Sequence, residues 1–308
     1  MHDKPVVVAV VVTYNKPELL LECLAALLAQ TYVVKKIIVV DNANNKTNSD
    51  IVLRFRRNSI DYYPMKENLG GAGGFSKGLE RAHNEYLGDF YWILDDDTIP
   101  QNDTLEQLLK GLDKIRRTSE VLGEKVGFLA SQVNWTDGKP ALMNIPKVST
   151  NWTSEISKGL IEISSASFVS LLVSNNALEK AGLPISEFFI WGDDVEYTTR
   201  ISRSFEGYLV PSSIVCHKMN DNTKVDLLNE MDVQRISRYF FEIRNRMFIS
   251  RESFGRCDWI KLFLKNVWLI IRVLPQKMGF KKAGVILRGL VASLGFNPKI
   301  RYVCANKD

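Results

Sequence analysis

The densest chemistry in the sequence is a run of three adjacent carboxylates, Asp95-Asp96-Asp97, directly after the apolar segment Phe90 to Leu94. Three like charges in a row repel one another and call for a counter-charge. In extended backbone, residues i and i+2 point to the same side. Asp95 and Asp97 can then grip one divalent cation while Asp96 faces away. Hard carboxylate oxygens suit Mg2+ or Mn2+, the ions that bridge a diphosphate. The competing reading is an acidic turn that caps the next helix through Asp97 or Thr98. A cap needs one Asp, not three behind a buried strand.

A second acidic cluster lies in Trp191-Gly192-Asp193-Asp194-Val195-Glu196-Tyr197. A carboxylate beside Trp191 can act as general base toward a sugar hydroxyl, and a helix N-terminus would favour its ionised form. The alternative is an N-cap with an acidic first turn. The glycines of Gly70-Gly71-Ala72-Gly73-Gly74 let backbone approach a phosphate or sugar at a helix start, or simply form a flexible turn. They match neither the dinucleotide fingerprint nor a P-loop. His217 follows a strand and is one of three histidines; His2 and His83 read as incidental. No Ser-His-Asp or Cys-His arrangement stands out, which argues against nucleophilic hydrolysis.

The elements that must hold these groups alternate. Val6 to Val12 and Lys36 to Val40 are β-branched runs that read as strands buried on both faces. Pro17 to Gln30 between them reads as a helix with Asn15 as N-cap. Further helices are expected over Phe75 to Tyr86, Thr104 to Arg117 and Asn175 to Ala181, and one from about Asp194 through Arg203. Strands are expected at Phe90 to Leu94, Gly127 to Val133, Ser167 to Val173 and Gly207 to Val215. Residues 134–160 read as a loop or short hairpin. This order predicts an α/β fold, a mostly parallel sheet flanked by helices. Such sheets bind ligands beyond the carboxyl ends of their strands. Thr13-Tyr14-Asn15, Asp41-Asn42 and the Asp triplet all sit at such ends, which suggests a nucleotide site.

Composition sets the frame. The chain has 308 residues, 45% of them hydrophobic and 24% charged, which excludes a disordered chain and suffices for a large core without disulfides. Four scattered cysteines, Cys23, Cys216, Cys257 and Cys304, fit a reducing, cytoplasmic setting. No signal sequence opens the chain, and no apolar stretch of membrane-spanning length occurs. Net charge is uneven: residues 1–234 hold 24 Lys and Arg against 31 Asp and Glu, whereas residues 235–308 hold 16 against 4. The body is acidic and no recognition motif is present, so nucleic acid is not an expected partner.

Taken in order, Val11-Val12-Thr13-Tyr14-Asn15, Ile37 through Asn42, Asn68 through Phe75, the Asp triplet and Trp191 through Tyr197 resemble the family 2 inverting glycosyltransferases. The resemblance spans about residues 5–250, including Tyr239 through Arg244-Asn245. It is strongest toward the galactofuranosyltransferase and rhamnosyltransferase branch. It implies a GT-A (Rossmann-like) catalytic domain over 1–230, with a nucleotide-sugar half to about residue 100 and an acceptor half over about 101–230. By the same resemblance Thr13, Asn15 and Asp41 would contact uridine. Asn68, Gly70, Gly71 and Asp96 would line the nucleotide-sugar pocket. Asp95, Asp97 and His217 would hold Mn2+ or Mg2+. Asp194 would be the base, with Trp191, Asp193 and Glu196 toward the acceptor. The implied reaction is one displacement that moves galactofuranose from UDP-galactofuranose to a glycan or lipid-linked glycan of a bacterial surface polysaccharide. A deoxythymidine-diphosphate-rhamnose enzyme and a non-catalytic sugar-nucleotide-binding scaffold remain as alternatives.

Residues 231–308 read as a helical basic extension, with helices over Asp232 to Arg251, Trp259 to Leu274 and Ala283 to Leu294. Apolar residues among Lys and Arg suit an interfacial helix on an anionic membrane surface at the cytoplasmic face. They equally suit a helical subdomain or a homo-oligomer contact.

Overall fold

The computed structural model describes residues 4–55, 58–223 and 225–303; His2 and Cys304 lie outside them. Among the described residues ten strands form one sheet: β1 Val7–Thr13, β2 Lys36–Asp41, β3 Ile60–Pro64, β4 Phe90–Asp95, β5 Thr98–Pro100, β6 Val126–Asn134, β7 Lys147–Val148, β8 Ile161–Ser165, β9 Leu171–Ser174 and β10 Glu206–His217. The helices are α1 Pro17–Leu28, α2 Lys46–Arg54, α3 Gly70–Tyr86, α4 Thr104–Arg116, α5 Glu120–Glu124, α6 Asn175–Ala181, α7 Asp193–Ile201, α8 Val233–Ile249, α9 Arg256–Val273 and α10 Gly279–Gly295.

The sheet runs β3-β2-β1-β4-β9-β6-β10-β8-β7, with β5 beside β10. Strands β3, β2, β1 and β4 are parallel. Strand β9 enters antiparallel between β4 and β6, and β10 is parallel to β6. The expected strand over Ser167 to Val173 therefore begins later, at Leu171, and runs opposite to its neighbours. A short apolar run says that a strand is buried, not which way it points.

Strand β1 is buried along its whole length because both of its faces are covered. Val7, Ala9 and Val11 join Leu20, Leu24 and Leu27 of α1 in one core layer. Val8, Val10 and Val12 join Phe75, Leu79 and Ala82 of α3 in the other. Asn15 does not cap α1: Lys16 holds the cap position without a side-chain bond, and Asn15 is in the left-handed region at φ 56°.

The glycine run is helix rather than loop, since α3 begins at Gly70 and not at Phe75. Its glycines let α3 press on the sheet. A Cβ at Gly74 would sit 2.6 Å from Val12 Cγ1, and one at Gly78 would sit 2.3 Å from Val10 Cγ1.

Three long helices follow the sheet, and α8, α9 and α10 share a core built on Ile236, Ile243, Met247, Val273, Ile286 and Leu290. A boundary at residue 230 does not detach them. Arg301, beyond α10, accepts the Leu183 N–H at 2.7 Å and donates to Ser76 and Ser186.

Candidate active site

One cavity of about 1170 Å³ opens beyond the carboxyl ends of β1 and β4. It is bounded on one side by the Asp95-Asp96-Asp97 turn and on the other by the start of α7 and a face of α8. The register of β10 against β5 sets the first wall, because His217 pairs with Thr98 and so lies beside Asp97. Donor atoms of Asp95, Asp97 and His217 all lie within 4.8 Å of one another. His217 Nε2 is 3.1 Å from Asp97 Oδ1. Its Nδ1 is 2.9 Å from Asn144 Oδ1, an acceptor. The Asn144 contact fixes the ring so that Nε2 is the nitrogen on the side of the two carboxylates, as second-sphere partners orient ligands in metal sites.

Charge at this wall fits a cation. Burial first, then the neighbouring Asp97 and Asp96 carboxylates, push Asp95 up to about 7 despite His217 and Lys16. Burial also lifts Asp97, but His217 and Lys16 outweigh it and hold that carboxyl below its usual range. Two oxygens and one imidazole nitrogen, with an under-compensated carboxylate among them, form a donor set suited to Mn2+ or Mg2+.

Strand β4 ends at Asp95, and Asp96 and Asp97 lie in the turn before β5, so the expected alternation does not hold; Asp96 is still outside the Asp95, Asp97 and His217 donor group. Its Oδ2 accepts from Thr13 Oγ1 at 2.8 Å and from the Tyr14 N–H at 3.2 Å. Burial pushes Asp96 up to about 6, although nearby Lys16 opposes the shift. Lys16 itself went unnoticed in the sequence. Its ammonium lies 2.6 Å from Asp97 Oδ2 and 3.5 Å from Asp96 Oδ1, on the cavity wall. Burial works against that charge, but Asp96 and Asp97 raise Lys16 well above its usual range.

Across the cavity, Asp193 and Asp194 occupy the first turn of α7. Burial pushes Asp194 up to about 6; the Val195 N–H, donating at 2.7 Å, opposes this, and the Glu242 carboxylate adds to it. Burial and then the Asp194 charge raise Asp193 further. The backbone before them is strained: Phe189, Trp191 and Gly192 have φ of 64°, 63° and 87°. Left-handed backbone at two aromatic residues costs energy and needs an external hold.

Asn245 of α8 supplies it. Fully buried, its Nδ2 donates to the carbonyls of Phe188, Ile190 and Trp191 at 3.0, 3.2 and 2.8 Å. Arg244 donates through Nε and Nη2 to Asn245 Oδ1 at 3.0 and 2.9 Å, which fixes the amide's orientation. The Arg244 guanidinium lies 3.9 Å from the Phe296 ring centroid. Trp191 lines the cavity and meets Tyr239 edge-on at 5.2 Å.

Other expected residues fall elsewhere. Glu196 is a correction: its two oxygens take Arg200 Nε and Nη2, each at 2.8 Å, in a buried pair off the cavity wall. Asp41 is another. Fully buried, it accepts from Ala43 N, Asn45 N, Asn48 Nδ2 and Tyr62 OH, which leaves no face for a base. Gly70 abuts the Phe189 carbonyl, where a Cβ would lie 2.0 Å from the oxygen, so of the two glycines only Gly71 lines the cavity. Thr13 is buried and serves Asp96. Asn15 and Asn68 are exposed at the ends of β1 and β3; Asn15 accepts from Asn45 Nδ2, and Asn68 accepts the Gly70 N–H.

Comparison with known proteins agrees with this architecture. Residues 8–154 match the profile of glycosyl transferase family 2. The chain is 27% identical over 308 residues to galactofuranosyltransferase GlfT1 of Mycobacterium tuberculosis, covering 90% of this chain and 98% of that one. It is 29% identical over 214 residues to GlfT1 of Mycolicibacterium smegmatis, covering 66% and 68%. The fold matches the mannosyltransferase PcManGT from Pyrobaculum calidifontis, solved with GDP-Man and Mn2+, at a TM-score of 0.54 and 15% identity, covering 96% of this chain and 76% of that one. It also matches residues 1–349 of S. aureus TarS, solved with UDP, at 0.54 and 15%, covering 93% and 90%. The chain thus carries a family 2 glycosyltransferase domain over residues 8–154 and has the GT-A fold.

Proposed function

We propose that this enzyme transfers galactofuranose from UDP-galactofuranose to a glycan acceptor of a bacterial surface polysaccharide, with inversion and with Mn2+ or Mg2+ bound. The observation that carries the reading is a single cavity with Asp95, Asp97 and His217 on one wall and Asp194 on the facing one. The galactofuranosyltransferase relatives support the donor sugar.

Asp95, Asp97 and His217 would hold the cation, which when bound would supply charge neutralisation for a departing diphosphate. Lys16, already against Asp96 and Asp97, adds a second positive group on the same wall. Asn15 and Asn68, exposed at the strand ends, are left to meet the nucleotide, with Gly71 toward the sugar. Asp194 takes the proton of the acceptor hydroxyl as that oxygen attacks the anomeric carbon. Its carboxyl, held near 6, is ionised at neutral pH yet basic enough to accept a proton. Trp191 offers an apolar face to the acceptor sugar. Arg235, Arg238 and Arg246 on the cavity face of α8 favour an acceptor that carries phosphate, as a lipid-linked glycan does.

A thermal-shift panel of nucleotide sugars with Mn2+ or Mg2+ tests the reading, followed by product analysis. Stabilisation by UDP-galactofuranose and not by deoxythymidine-diphosphate-rhamnose is expected. The reverse preference would transfer the assignment to rhamnose, and no metal-dependent shift with any donor would refute the site.

A further inference from the structure

Helix α9 carries apolar residues on both its inner and its outer face. Its inner face, with Leu262, Phe263, Leu269, Ile270 and Val273, packs into the core shared with α8 and α10. Its outer face exposes Ile260, Leu264, Trp268 and Ile271, at 51, 60, 59 and 55%. Their spacing of four, four and three residues makes one continuous stripe. Helix α10 repeats the pattern with Leu287, Val291 and Leu294, at 56, 61 and 62%. Single exposed apolar residues are ordinary on a soluble protein, but two stripes of them on neighbouring helices are not.

The surroundings of these stripes are cationic. Lys261, Lys265 and Arg272 flank the first, and Lys277, Lys281 and Arg288 the second, all of them exposed. Among the described residues Lys265, Arg272, Lys277 and Lys281 have no carboxylate within ion-pair distance, whereas Lys261 meets Asp258 at 3.2 Å. A second copy of the chain is a poor cover, since it would oppose two faces of the same sign. No helix among the described residues is long and apolar enough to cross a membrane. An apolar stripe rimmed by Lys and Arg suits a helix that lies in the lipid headgroup boundary. Phe254, exposed just before α9, lines the cavity together with Leu262 of the inner face of α9.

We propose that the outer faces of α9 and α10 seat this enzyme on an anionic lipid bilayer. This goes beyond the donor and acid–base reading and stands without it, because it rests on surface residues away from the metal-binding and base groups.

Flotation of the full chain with vesicles tests it directly. One set is phosphatidylcholine alone, the other equal parts phosphatidylcholine and phosphatidylglycerol. Binding to the anionic set only, weakened by salt, is expected. The pair Leu264→Glu with Trp268→Glu, and separately Lys265→Glu with Lys281→Glu, should each lower binding by about tenfold or more. All four positions are exposed, and the metal-dependent thermal shift with UDP reports in the same samples that fold and donor site are intact. Flotation of either variant pair like the parent overturns the proposal. So does failure of the parent to float, and so does a parent dimer that the Leu264→Glu, Trp268→Glu pair splits, because a second copy would then cover the face.

Discussion

Asn245 offers the sharpest test of how the base is aimed. Its side chain touches neither cation site nor sugar, yet it makes three hydrogen bonds to the strained segment and accepts two from Arg244. Each bond is worth about 1 kcal/mol net, and although the Phe188 carbonyl keeps the Ile190 N–H, the carbonyls of Ile190 and Trp191 lose the Asn245 donor, so Asn245→Ala should destabilise the fold by about 2–4 kcal/mol. The left-handed backbone at Phe189 and Trp191 stores about 1–3 kcal/mol each. Strain and hold are therefore comparable, and removing the hold lets the segment relax and swings the start of α7 with it. Displacement of a base by about 1 Å costs about a hundredfold in rate. The assay pairs urea unfolding with kcat and with UDP affinity in Mn2+. We expect kcat to fall about a hundredfold at temperatures where the variant is still folded, with UDP affinity unchanged, because Asp95, Asp97 and His217 sit on the sheet. Asn245→Asp keeps an oxygen for Arg244 but turns a second oxygen toward three carbonyls, so it should be at least as damaging. An Asn245→Ala enzyme with normal kcat, or one that loses UDP affinity and kcat in parallel, would show that the amide only stabilises the fold.

The remaining predictions concern single groups. Asp194→Asn should abolish transfer and keep donor binding. In the parent, kcat/KM should rise with pH through about 6 as Asp194 loses its proton beside Glu242, Asp193 and the Arg246 that pairs with Glu242. Because the native carboxyl holds its proton more tightly than the unfolded one, its ionisation costs stability above pH 6. Asp194→Asn should then be more stable than the parent by about 1–3 kcal/mol at pH 8, an advantage that vanishes below about pH 4; equal stability at both pH values would contradict the assigned burial. His217→Ala or Asp97→Asn should remove the Mn2+-dependent part of the UDP thermal shift, whereas an undiminished shift would place the ion elsewhere. Gly78→Ala should destabilise by about 1–3 kcal/mol through overpacking against Val10, while Gly284→Ala, whose Cβ meets nothing within 4 Å, should stabilise α10 by up to about 1 kcal/mol in a denaturant melt.

What the sequence made legible was whatever one segment encodes alone. The strands β1, β2 and β4 announced themselves because burial on both faces selects continuous β-branched and aromatic runs. Asp95 and Asp97 were readable as a pair because three adjacent carboxylates behind a buried strand call for a counter-charge, although the turn after β4, and not strand alternation, brings the two together. Residues that meet only through the sheet order were not. His217 reaches Asp97 across 120 positions, and Asn144 reaches His217 across 73, so no local pattern marks Asn144, which lies in a stretch without periodicity. Lys16 is hidden for the opposite reason, as one lysine among many until the β1–α1 turn brings it to the triplet.

The acidic cluster at α7 shows how a physical reading of spacing can outrun a motif. Asp193, Asp194 and Glu196 look like one site along the chain, yet the helix distributes them. Glu196 and Arg200 stand four apart, the spacing at which opposite charges on a helix meet, and in the structure they neutralise each other in the interior. That pair was visible in the sequence and argues against Glu196 as a ligand for sugar. Breaking it with Glu196→Ala leaves a buried guanidinium that keeps only the carbonyls of Ala181 and Leu183, and should cost about 3–5 kcal/mol. If Glu196 instead served the acceptor, the same change would raise the acceptor KM in enzyme that is still folded. The two carboxylates left in the cluster differ in their neighbours. Asp193 is buried, and burial, the Asp194 charge and the field of Asp95 raise its carboxyl well above the usual range. Asp194, at the start of α7 on the cavity wall and next to the Val195 N–H, is the carboxylate of the pair that the proposed reaction assigns to deprotonation.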